Sequence, residues 1–234
     1  MASALSGCDG PPALPGAPPD GTVAAAPDTG APQAGAPGAG GIRYLALGDS
    51  LTQGVGAPDM ETGAFPALLA QRWRAQGCPV ELKNSGVSGY TSGQVISEEL
   101  PDVATFNPTV ITFQAGGNDI ANGVPIEEYR TNVRRVLTAA KASGARVLAL
   151  AQNEWYRSPQ GLNYGSDLAE RRAAYDAALI EEINAAGAQF VDLRPIYRQE
   201  ADANLWVEDG IHPTPEAYQV WADELARIVP APCR

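Results

Sequence analysis

The chain has 234 residues, with 16 Lys and Arg against 27 Asp and Glu, a net charge of −11. That length suits one domain of ordinary size plus a tail, and the acidic balance speaks against nucleic acid or an anionic membrane surface as a direct partner, because both would repel it. One histidine and three scattered cysteines without CxxC spacing speak against a metal centre; no metal and no cofactor is expected, and any step needing an imidazole must use His212.

Residues 9 to 40 are mostly Pro, Gly and Ala and show no apolar period. Such a segment cannot offset its ordering entropy by burial, so it reads as a flexible tether. Before it stands Leu5-Ser6-Gly7-Cys8, which resembles the lipobox of bacterial lipoproteins, in which the cysteine is lipidated. The resemblance implies a protein outside the cytoplasm, lipid-anchored through Cys8 or secreted, touching the membrane only through that anchor. Seven residues precede Cys8, fewer than a charged region and an apolar region need, so this reading expects either an engineered truncation or a start further upstream. Residues 1–40 are therefore assigned to lipobox and tether, and 41–234 to one folded domain.

From Ile42 onward, apolar runs alternate with helical patterns. The runs are Ile42 to Leu47, Val80 to Lys83, Thr109 to Gln114, Ala145 to Ala151 and Gln189 to Asp192, nearly continuous in apolarity, as strands buried on both faces should be. Between them, Ile126, Tyr129, Val133, Val136, Leu137 and Ala140 form one stripe of 3.6-residue period; Leu168, Tyr175, Leu179 and Ile183 form a second; Tyr218, Trp221, Leu225 and Ile228 form a third. Thr214 with Pro215 marks the start of the last helix, and Gly144 and Gly187 mark helix ends. A strand–helix unit repeated five times predicts a three-layer α/β/α fold with a five-stranded parallel sheet, flavodoxin-like, in the order 2-1-3-4-5. Ligands of such sheets bind outside the carboxyl ends of the strands.

The loops at that edge carry the unusual residues. They are Gly48-Asp49-Ser50-Leu51, Asn84-Ser85-Gly86-Val87-Ser88-Gly89, Gly116-Gly117-Asn118-Asp119 and Asp209-Gly210-Ile211-His212-Pro213. A serine hydroxyl needs a base and a donor set for the developing oxyanion before it can attack an acyl carbon. Ser50 is the candidate nucleophile and His212 the base. Asp209, three residues before His212, is the candidate partner of its far ring nitrogen, with Glu208 as the neighbouring alternative. The backbone amides of Ser50 and Gly89 and the side-chain amide of Asn118 are the candidate oxyanion donors. Asp49, Asp119 and Asp192 read as structural acceptors of loop amides. No Gly-x-Ser-x-Gly elbow occurs, and acid and base lie three residues apart, which speaks against an α/β-hydrolase.

These four blocks, in this order from about Ile42 to Val229, resemble the SGNH family of hydrolases, also called GDSL esterases and lipases. The resemblance implies hydrolysis of acyl esters through an acyl-enzyme without a cofactor. In the second block its glycine maps to Gly89, with Gly86 the alternative. The expected substrate is a small to medium acyl ester, including lysophospholipids; a carbohydrate O-deacetylase acting on acetylated polysaccharide is the alternative, and an inactive binding module on the same fold the second. Trp155, Tyr156 and Tyr164 in the long loop after the fourth strand, together with Trp206, are candidate substrate contacts. In a 2-1-3-4-5 sheet the first and last helices lie side by side and end at the edge opposite the active site, so Cys78 and Cys233 are expected to form a disulfide.

Overall fold

The structure, a computed structural model, describes residues 41–233. Cys8 and the rest of the tether lie outside the described residues. Five parallel strands, β1 (Ile42–Gly48), β2 (Val80–Asn84), β3 (Val110–Gln114), β4 (Arg146–Leu150) and β5 (Gln189–Val191), form one sheet in the order β2-β1-β3-β4-β5. The side chains of β1 alternate across it: Leu45 and Leu47 enter one core, and Tyr44 and Ala46 the other. The first core is closed by the helices Pro101–Phe106, Ile126–Ala142 and Leu168–Ala186. The second is closed by Phe65–Ala75, Arg194–Asp202 and Pro215–Ile228.

Burial of strands on both faces holds for the central members only. β1, β3 and β4 are almost wholly buried, whereas β2 and β5 are mostly half-buried. The reason is position, because each outer strand has a neighbour on one side alone; Glu81 of β2 takes the exposed slot. The Arg194–Asp202 helix, between β5 and the histidine loop, lies outside the three predicted stripes. It packs Tyr197 edge-on against Trp221, ring centroids 4.7 Å apart.

The last helix begins as its sequence indicates: the Thr214 side chain accepts from the Ala217 amide, and Pro215 takes the first helical position. It lies against the Phe65–Ala75 helix through Phe65 and Trp221, through Arg72 bonded to Asp223 at 2.8 Å, and through the Trp73 indole donating to the Val229 carbonyl at 3.0 Å. At the shared end of the two helices a disulfide joins Cys78 to Cys233, with Cα atoms 5.8 Å apart.

Candidate active site

The end of β1 is built for close approach. A Cβ on Gly48 would sit 2.3 Å from both the Gln114 carbonyl oxygen and the Thr52 hydroxyl, so only glycine fits there. Asp49 then caps the short helix Ser50–Gln53 by accepting from the Leu51 amide at 3.0 Å. Burial pushes the Asp49 carboxyl up to about 7, against that bond. Ser50 stands at the first helical position, where a helix leaves its N–H unpaired.

The second loop is tied to this helix: Asn84 Nδ2 donates to the Thr52 carbonyl at 2.8 Å, and the Ser88 amide donates to Gln53 Oε1 at 2.8 Å. The two glycines of that loop differ. The Gly86 N–H is taken by Asn84 Oδ1 at 3.1 Å. Gly89 has a positive φ of 85°, lines the cavity beside Ser50, and its N–H meets no acceptor among the described residues. In the third loop Asn118 Nδ2 donates one hydrogen to the Tyr90 carbonyl at 3.0 Å, which links it to the residue after Gly89 and leaves its second N–H. Asp119 anchors both loops by accepting from the Ser92 amide at 2.9 Å and the Ser92 hydroxyl at 2.5 Å; burial pushes its carboxyl up, against these bonds. Asp192 binds the amide and guanidinium of Arg194, away from the cavity.

The histidine loop is held by its own turn. Asp209 Oδ1 accepts from the amides of Ile211 and His212 at 2.9 and 3.0 Å, and Gly210 between them takes a φ of 70°. Asp209 Oδ2 meets His212 Nδ1 at 2.6 Å, and His212 Nε2 meets Ser50 Oγ at 2.9 Å. With Nδ1–H donating to the carboxylate, Nε2 is left to accept from the serine hydroxyl. Partial burial pushes the Asp209 carboxyl up, but the two amides and the imidazole outweigh it and hold it below its ordinary value. Asp209 stays charged, as a partner for an imidazolium must.

Ser50, Gly89, Asn118 and His212 all line one cavity of about 260 Å³, with Leu51, Ile211, Gln152, Trp155 and Tyr164 among its other walls. Trp155 and Tyr164 meet edge to face, centroids 5.4 Å apart. Two of the expected substrate contacts stand outside the walls of this cavity. Tyr156 does not line the cavity; its hydroxyl donates to Glu154 at 2.7 Å and its ring lies under the Arg172 guanidinium. Trp206 does not line it either; it pairs with Pro213 in an isolated antiparallel bridge that braces the histidine loop. A short helical turn sends alternate aromatics of one loop to opposite sides, and the sequence carries no sign of which side faces the cavity.

The model of the GDSL-like lipase/acylhydrolase family matches residues 46–220. The chain belongs to that family. Thioesterase 1/protease 1/lysophospholipase L1 of Escherichia coli K12 is 30% identical over 185 residues, covering 78% of this chain and 81% of that protein. The arylesterase of Vibrio mimicus is 28% identical over 184 residues, covering 78% and 84%. In fold, the acetylxylan esterase Axe2 of Geobacillus stearothermophilus superposes with a TM-score of 0.67 at 19% identity, covering 81% of this chain and 94% of that one. The chain is a carboxylic ester hydrolase of this SGNH type.

Sequence reasoning passed over several residues of the site. Gln152 and Asn153 follow β4 after Ala151 and line the cavity; their place at a carboxyl-terminal strand end was the available signal. Leu51 and Ile211 sit inside motif blocks and supply the apolar wall. Arg172 is buried between Glu154 and Asp176, at 3.4 and 3.3 Å, and bonds the Gln152 carbonyl, which fixes the root of the cavity-wall loop. No motif flags it, because Glu154 and Gln152 stand 18 and 20 residues before it in the chain.

Proposed function

We propose that Ser50 is the nucleophile, His212 the general base and Asp209 its supporting acid in the hydrolysis of small to medium acyl esters. The observation that carries this reading is the continuous chain Ser50 Oγ, His212 and Asp209, at 2.9 and 2.6 Å, opening on the cavity. His212 Nε2 takes the hydroxyl proton as Ser50 Oγ bonds to the acyl carbon. The carbonyl oxygen becomes an oxyanion facing the N–H groups of Ser50 and Gly89 and the second N–H of Asn118, each typically worth about 3 to 4 kcal/mol in the transition state. The leaving alkoxide takes the proton from His212 as the ester C–O bond breaks. A water, giving its proton to His212, then attacks the acyl-enzyme; the acid departs and the proton returns to Ser50 Oγ.

The size of the cavity, near the low end of the range of about 300 to 1,000 Å³ usual for ligand sites, supports short or medium acyl groups. The lysophospholipase and arylesterase names of the two relatives agree with esters of that kind. Carbohydrate O-deacetylation is the second reading, favoured by the Trp155–Tyr164 wall, in which Tyr164 is 41% exposed, beside polar Gln152 and Ser88. The complete set of five site residues leaves a purely binding role without support. For location, the Leu5-Ser6-Gly7-Cys8 segment supports lipid anchoring outside the cytoplasm, with residues 9 to 40 as tether to the hydrolase domain.

The mechanism is tested with a fluorophosphonate probe and a series of aryl esters of rising acyl length, acetylated xylan alongside. The probe is expected to label Ser50, and Ser50→Ala to lose at least about 10⁴-fold in kcat. Label on another serine, or a fully active Ser50→Ala, refutes the assignment. A rate optimum on acetylated xylan over every aryl ester selects the second reading.

A further inference from the structure

Behind the nucleophile loop lies a carboxyl that the reaction above does not use. The segment Val95–Glu99 forms one turn of π-helix, a rare geometry that recurs at functional sites. It turns Glu99 inward, where it is 2% exposed, and Glu99 Oε2 accepts from the Gly48 amide at 2.8 Å.

That amide lacks a strand partner for a reason visible in the register. The last paired residues of β1 and β2 are Ala46 and Asn84. The Gly48 carbonyl still accepts from the Val87 amide at 3.2 Å, so the Gly48 N–H points to the same side, at the level where β2 has ended. A buried N–H left there would cost about 1 to 3 kcal/mol, and Glu99 supplies the missing acceptor. Gly48 is also wedged against Gln114 and Thr52 and stands two residues before Ser50. Whatever holds Gly48 therefore sets the height of the Ser50 hydroxyl and amide above the sheet.

We propose that Glu99 is a positioning residue that holds the end of β1, and with it Ser50, through the Gly48 amide. This rests on Ser50 being the nucleophile. The charged groups facing Glu99 are Asp49, on the nucleophile loop, and Asp102, on the Pro101–Phe106 helix, where Lys83 of β2 pairs with it at 2.6 Å. Burial, with Asp49 and Asp102 adding to it against the Gly48 bond, pushes the Glu99 carboxyl up to about 9. Its uncharged form is thus the working one at neutral pH. Ionisation would place a second buried negative charge beside Asp49, close to where the oxyanion develops, and weaken transition-state stabilisation.

The test compares Glu99→Ala and Glu99→Gln with the native enzyme on one aryl ester from pH 6 to 10.5, subtracting hydroxide hydrolysis, with melting temperature and Ser50 probe labelling recorded. Displacement of a reacting group costs up to about 100-fold, so Glu99→Ala is expected to lower kcat about 10- to 100-fold with KM within about twofold. Glu99→Gln keeps a neutral acceptor and is expected to stay within about threefold of native kcat at pH 7. Native kcat should fall as pH rises through about 9, and that fall should be absent in Glu99→Gln. Native kcat in a folded Glu99→Ala, no rescue by glutamine, or the same alkaline fall in Glu99→Gln overturns the proposal; the glutamine pH profile decides alone where the alanine variant does not fold. Loss of Ser50 labelling from the native enzyme sinks the nucleophile assignment itself, whereas normal labelling with unchanged kcat in the variants sinks only the role of Glu99.

Discussion

The two edges of the sheet are made of different material. At the carboxyl-terminal edge Asp49, Ser50, Thr52, Glu99, Gln114, Asp119, Gln152 and Asn153 are all buried. At the opposite edge Trp73 and Val229 are buried among apolar neighbours, and the Cys78–Cys233 disulfide closes the Phe65–Ala75 and Pro215–Ile228 helices against each other. Burying polar groups costs free energy unless each is bonded, and Thr52 Oγ1, Glu99 Oε1, Gln114 Oε1 and Asn153 Oδ1 meet no partner among the described residues. The reacting edge therefore gives up stability for placement of its groups, and the apolar, cross-linked edge offsets the loss.

If that division is correct, substitutions at the two edges separate activity from stability. The largest effect is expected from Asp209→Asn, which removes the charge that fixes the His212 tautomer: kcat falls between about 10² and 10⁴-fold, while melting temperature moves little because Asp209 is exposed. A variant that unfolds instead would show that the histidine loop depends on this carboxylate for its structure. Asn118→Ala comes next, with kcat lower by about 10²- to 10³-fold and KM nearly constant, as for a donor used in the transition state; an effect confined to KM would reassign Asn118 to ground-state binding.

At the other edge, Cys78→Ser is expected to cost about 2 to 4 kcal/mol in denaturant unfolding and to leave kcat of the folded enzyme within about twofold, since the bridge lies at the far end of the strands. Equal losses of activity and stability would erase the contrast between the edges. The smallest effect concerns Glu200, which accepts from Asn153 at 3.0 Å and from the Trp221 indole at 2.7 Å. Burial, against these bonds, pushes its carboxyl up to about 7 from an ordinary 4.5. A raised carboxyl stabilises the fold below its unfolded value and loses that contribution as pH climbs through the folded one. Native stability should thus decline between about pH 4.5 and 7, and Glu200→Gln should flatten part of that slope in melting curves; buried Asp49 and Glu99, pushed the same way, maintain a slope in the variant.

Much of this was legible in the sequence. Apolar runs of strand length alternating with 3.6-residue stripes determined the elements of the parallel sheet, because a buried strand and an amphipathic helix each imprint their period on neighbouring residues. The same reading put Ser50, Asn118, Asp209 and His212 on loops at one edge, since parallel connectivity sends every strand's end to the same side. The Asp209–His212 pair, with two bonds from Asp209 Oδ1 to amides two and three residues away, is a local turn and needs nothing distant to form.

Only the tertiary structure decided the rest. Which aromatic of the long loop faces the cavity depends on Arg172 and Glu154, remote from Trp155 and Tyr156 in packing direction though not in sequence. Which glycine of the second loop keeps a free N–H depends on where the Asn84 side chain turns. That Glu99 points inward to the Gly48 amide depends on one turn of π-helix meeting the place where β2 stops. The Glu99 contact joins residues 51 positions apart, and a contact of that kind leaves no period in the sequence from which it could be read; the other two turn on where a single side chain points, which a period does not encode either.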